Sequence, residues 1–150
     1  MNYSKGRKIY IIISAIILLG VMATIFILSA QNDTESSSTS SWVVELLTSI
    51  FGTVPNENTI RTIAHFCEFA GLGFVLCNFI FSLKNKILPI LSILLSSGYA
   101  LTDEIHQFFV PGRACQLIDW CVDTSGTILG VAVFCCIILI IKHKKPIDSD

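Results

Sequence analysis

The stretch IYIIISAIILLGVMATIFIL, residues 9–28, runs for twenty residues without a charge. As a helix rising about 1.5 Å per residue it would cover about 30 Å, the thickness of a bilayer's hydrocarbon layer, so it reads as a membrane span. Lys5, Arg7 and Lys8 precede it and give it a superficial likeness to a secretory signal. The apolar run is about twice the length of a signal-peptide core, however, and no small-x-small cleavage site precedes Ser29 or Ala30. It is therefore read as a retained span.

The rest of the chain has the same character. Of its 150 residues 53% are hydrophobic and 14% charged, and the mean hydropathy is +0.72, values that point to lipid as the solvent. Alternating short strands are lacking, which excludes a closed barrel. Three more spans follow, at about 62–83, 87–106 and 118–141. Asn58 or Thr59 is the candidate cap of the second, and Lys84 and Lys86 close it. Pro89 falls in the first turn of the third, where proline is tolerated. Lys142, Lys144 and Lys145 stop the fourth. The expected fold is all-α and integral to the membrane, one domain of four transmembrane helices over residues 1–150, with no internal repeat.

Basic residues near span ends stay on the cytoplasmic side. With both termini cytoplasmic, all of the ten lysines and arginines except Arg61 and Arg113 fall inside, and of the eleven acidic residues only Asp148 and Asp150 do. The first outer segment begins with a polar, serine-rich stretch, 31–41, too poor in apolar residues to pack a core. Trp42, Val43, Leu46, Leu47, Ile50 and Phe51 then share one helical face opposite Glu45 and Thr48, which predicts a short amphipathic helix over about 42–51 lying in the outer interface. Nothing favours nucleic acid as a partner. Cys67, Cys77, Cys135 and Cys136 lie in apolar runs as small hydrophobes. Cys115 and Cys121 flank the last outer loop and could pair in an oxidising compartment.

The remaining polar residues gather at the outer span ends. Arg61, His65 and Glu68 lie four and three apart on one stripe of span two. Asp103, Glu104 and Gln107 form a polar turn at the outer end of span three. Asp119 and Asp123 share a stripe at the start of span four that continues through Gly126 and Gly130, and small residues at that spacing face a neighbouring helix at close range. Twenty residues counted outward from the inner ends reach Ala64, His106 and Val122, so Glu68, Asp103, Glu104 and Asp123 sit at or just inside the outer boundary. A polar residue at a span end often only meets water or caps a helix. Carboxylates on three helices at one depth instead predict a shared, outward-opening cavity, with Arg61, Arg113 and His65 as compensating partners.

These residues also carry a family resemblance. Ser29-x-Gln31, the run from Arg61 through His65 and Glu68 to Phe69, DEIHQFFVPGR at 103–113, and Asp119 with Asp123 and Gly126 resemble the VanZ-like membrane protein family over about 29–130. The chain departs from the family pattern where Arg61 stands for a frequent lysine, Asp123 for a frequent asparagine and Phe69 for a frequent tyrosine. The resemblance implies a bacterial cell-envelope protein in a family associated with resistance to the glycopeptide teicoplanin. It brings no settled biochemical activity.

Two functions fit these residues. One is a protein of envelope homeostasis or antibiotic resistance whose pocket, drawing on Gln31, Arg61, His65, Glu68, Asp103, Glu104, Gln107, Arg113, Asp119 and Asp123, binds an envelope lipid, a lipid-linked cell-wall precursor or a lipopeptide. The other is an intramembrane hydrolase or transferase with Asp103 or Glu104 as general base and His65 and Glu68 completing an acid/base or divalent-metal site. No cofactor or metal is assigned: His65 and Glu68 offer two ligands on one helix face, and His106, two residues past Glu104, points elsewhere. An ion pathway is disfavoured because 69–81 and 127–141 hold no ionisable group other than cysteine.

Overall fold

The computed structural model describes residues 3–31, 49, 57–111 and 115–144. Among them are four helices and no strand: α1 (Lys5–Ser29), α2 (Glu57–Lys84), α3 (Pro89–Phe108) and α4 (Leu117–Lys144). The interfacial helix expected at 42–51, Ser49 apart, and Arg113 lie outside the described residues.

The helices α1, α2 and α4 are each long and apolar enough to cross a membrane. At 20 residues α3 has the length, about 30 Å, but Ser92, Ser96, Asp103, Glu104 and Gln107 interrupt its apolar run. Leu88 caps it with Pro89 at its first position, where the missing N–H is no loss.

The helices run up and down. Asn85, at φ 54°, turns the chain between α2 and α3, a left-handed position that asparagine tolerates better than most side chains, and its N–H closes α2 on the Phe81 carbonyl at 2.8 Å. Arg7, near the start of α1, donates to the Ser82 and Leu83 carbonyls at 3.2 and 3.1 Å at the end of α2. At the other end Ser29 of α1 meets Asp103 of α3, and His65 of α2 meets Asp123 of α4.

The helix α2 is central, and its tightest neighbour is α4. There Gly126 and Gly130 bring backbone against backbone: a Cβ at Gly126 would overlap the Phe66 carbonyl, and one at Gly130 the Ala70 carbonyl. Gly73 reciprocates, since a Cβ there would stand 2.5 Å from the Thr127 carbonyl oxygen. The stripe of small residues expected to face a neighbour does so. Two apolar clusters fill the bundle. Ile25, Phe69, Leu72 and Ala100 join α1, α2 and α3, while Cys77, Val131 and Phe134 join α2 and α4.

The exterior is as apolar as the interior. On α3, Ile90, Leu94 and Phe108 face outward at 65–73% exposure, while Ser92, Ser96, Asp103, Glu104 and Gln107 face inward at no more than 4%. In water this pattern would be inverted, whereas lipid rewards it. Inward polar groups away from the acidic end mostly find partners. Asn78 donates to Ser14 and accepts from Tyr10, Tyr99 donates to the Met22 carbonyl, and Trp120 donates to the Ser97 carbonyl. Cys115 and Cys121 are separate exposed thiols.

Candidate functional site

The buried polar stripe of α3 ends in Asp103, Glu104 and Gln107, at 4%, 1% and 1% exposure. Helical spacing puts Asp103 and Gln107 one above the other, and Gln107 Nε2 donates to Asp103 Oδ2 at 2.9 Å. Ser29, the last residue of α1, donates to the same oxygen at 2.8 Å. Glu104 turns toward α4, where its Oε2 accepts the backbone N–H of Gln116 at 2.9 Å, just before the helix begins. A carboxylate there also complements the positive end of the helix dipole.

From α4, Asp123 enters at full burial. Its Oδ1 lies 3.5 Å from Nδ1 of His65 on α2. His65, Asp103 and Asp123 thereby each bring one donor atom within 4.8 Å of the others, from three different helices. Beyond the long contact to His65, neither oxygen of Asp123 has a hydrogen-bond partner among the described residues, and the same is true of Asp103 Oδ1 and Glu104 Oε1. Buried carboxylate oxygens are normally satisfied, so this centre has spare acceptor capacity.

His65 also forms part of the wall of a cavity of about 240 Å³, lined in addition by Arg61, Thr62, Gln116, Asp119 and Val122. The cavity lies between the starts of α2 and α4. One imidazole thus separates an accessible polar pocket, with Arg61 and Asp119 in its walls, from a buried acidic centre.

Of the residues singled out by sequence, His65, Asp103, Glu104, Gln107 and Asp123 converge at the buried centre, and Arg61 and Asp119 line the adjoining cavity. Glu68 is half-buried one turn further along the His65 face. Gln31 lies beyond the end of α1, and it is Ser29 of the Ser-x-Gln segment that reaches Asp103. Ser29 had no place in the expected ligand set, although the sequence held a signal for it: Ser14, Leu18, Ile25 and Ser29 recur at four, seven and four residues and form the buried stripe of α1. The backbone of Gln116 carries no side-chain signature and was not legible. His106 stacks on Phe26 with ring centroids 4.5 Å apart, away from the acidic centre as its spacing from Glu104 predicts.

This is a multi-pass helical membrane protein that buries a carboxylate-rich centre at one end of its bundle. The VanZ/LLP1 family profile matches residues 14–140, and the chain belongs to that family. No curated protein and no solved structure matches it.

Proposed function

We propose that the cavity beside His65 opens to the outer face of the cell membrane and receives the polar headgroup of an envelope lipid, a lipid-linked cell-wall precursor or a lipopeptide, and that glycopeptide (teicoplanin) resistance or envelope homeostasis depends on it. The observation that carries this reading is the convergence of buried polar groups from four helices on one end of an otherwise apolar bundle, next to a cavity walled by Arg61. Ionised groups near a bilayer boundary are unfavourable facing lipid and are retained where they serve a pocket. Arg61, with Arg113 from the segment between α3 and α4, supplies the fork geometry that suits phosphate and carboxylate.

The orientation belongs to the same proposal. With the lysine-rich ends of α2 and α4 cytoplasmic, α3 also crosses, as the third of four spans, its apolar side chains toward lipid and its polar stripe toward α1, α2 and α4. The polar end then faces outward.

A second reading has its own support. Asp103 and Glu104 each use one oxygen in a fixed hydrogen bond and keep the other open, the disposition of an oriented general base. That disposition makes a hydrolase or transferase acting on a lipid-linked substrate the second reading. The test of both is to express wild type, Arg61→Ala and Asp103→Asn at equal levels, then follow teicoplanin susceptibility together with binding and turnover of a polyprenyl diphosphate lipid by the purified proteins. Loss of resistance and of lipid binding in both variants is expected. Lipid consumed by wild type but not by Asp103→Asn supports the enzyme reading. Unchanged susceptibility and binding in both variants would overturn the proposal.

A further inference from the structure

Among the described residues, the buried centre holds more acceptor oxygens than hydrogen-bond donors to satisfy them. Asp123 is wholly buried, its Oδ2 has no partner and its Oδ1 has only the 3.5 Å contact to His65. Asp103, 4% exposed, commits Oδ2 to Ser29 and Gln107 and leaves Oδ1 unpartnered among the described residues. His65 Nδ1, without a well-directed hydrogen bond, completes the set. Oxygens left unpartnered on side chains this deeply buried, where α2, α3 and α4 each bring one ligand atom within 4.8 Å of the others, go beyond a cluster of acids at a helix end.

Carboxylates this close and out of water repel unless a proton or a cation lies among them. One proton bridges two acceptors, whereas one cation engages all three donors and brings two carboxylates to neutrality. A metal about 2.1 Å from each ligand holds its donors about 3 to 4 Å apart. The three atoms here, all within 4.8 Å of one another, close to that spacing with small side-chain movements. We propose that His65 Nδ1, Asp103 and Asp123 form a binding site for one divalent transition-metal cation of the manganese or zinc class.

One imidazole and two carboxylates favour that class over magnesium or calcium, which take oxygen almost throughout. The supporting contacts are those that orient metal ligands elsewhere, since Ser29 and Gln107 fix the second oxygen of Asp103. The sequence by itself pairs His65 with Glu68 on one helix, but the fold supplies donors from two other helices. The cation site does not depend on a lipid headgroup occupying the cavity.

The test uses the full chain purified in detergent, freed of metal, with manganese(II) as the probe and its electron paramagnetic resonance as the readout. Wild type is expected to bind one manganese per chain with nitrogen coupling from a single imidazole. Asp123→Asn and His65→Gln should each weaken binding at least tenfold, and in His65→Gln the nitrogen coupling should vanish. Thr24→Ala, at an exposed hydroxyl that bonds only the Gly20 carbonyl of its own helix, should weaken binding less than twofold. Should a variant lose its fold, the nitrogen coupling of wild type, and its loss when zinc displaces the manganese, still decide the matter. Wild type that binds no manganese, binds it without nitrogen coupling, or is matched in affinity by folded Asp123→Asn would overturn the proposal.

Discussion

Ser29 contributes a single hydroxyl, yet it ties the end of α1 to the acidic centre through Asp103 Oδ2. Removing it leaves that oxygen with Gln107 alone and enlarges a buried site by one oxygen atom. Hydrogen bonds between membrane helices are worth about 1 kcal/mol or less, and one to a charged group somewhat more. Ser29→Ala should therefore lower stability by about 1 kcal/mol, read from unfolding of the purified protein in detergent. Gln31→Ala is the matching control. It lies past the helix end, half-buried and with no part in the Ser29–Asp103 bond, and its effect should stay within about 0.5 kcal/mol. Equal losses in both variants would mean that the pairing of Ser29 with Asp103 does not stabilise the bundle.

Among the helices, the pairing of α2 with α4 holds the site together, because His65 and Asp123 approach only where the glycines let the two backbones close. No spare volume is available there: any Cβ at Gly130 meets the carbonyl of Ala70, and one at Gly126 that of Phe66. Overpacking at such a contact forces backbone shifts costing on the order of 3 kcal/mol. Gly130→Val should lower stability by about that much and move His65 away from Asp123, detectable as loss of a disulfide between cysteines placed at those two positions in an otherwise cysteine-free chain. Gly98 and Gly71, which have open space where a Cβ would go, should accept alanine with no loss. A Gly130→Val protein as stable as wild type would show that the helices need not be this close.

Across the described residues the exterior is as apolar as the interior, with isoleucine, leucine and phenylalanine exposed while serine, aspartate and glutamine are buried beside the apolar clusters. Such a surface requires lipid, and the arrangement of charges in the chain sets its orientation. In a variant retaining Cys115 as its only cysteine, a membrane-impermeant maleimide should label intact cells, since Cys115 is exposed at the acidic end of the bundle. A cysteine introduced as Lys84→Cys, at the opposite end, should label only after permeabilisation. The reverse pattern would overturn the proposed outward-facing site.

The helices α1, α2 and α4 follow from local chemistry, because a run of about twenty apolar residues has no other way to satisfy its backbone in lipid. The facing of Gly126 and Gly130 toward a neighbour, and the inward set of His65, Asp103, Gln107 and Asp123, are likewise legible as three- and four-residue periodicity. Periodicity defines a face of one helix and is silent on which face of which other helix it meets. For that reason the pairing of His65 with Asp123 rather than with Glu68 alone, the bond of Ser29 to Asp103, and the hold of Glu104 on the Gln116 backbone emerge only once four helices pack. These contacts join residues 12 to 74 positions apart along the chain. They rest on backbone approach at the glycines, which depends on the shape of two surfaces together and on no single segment.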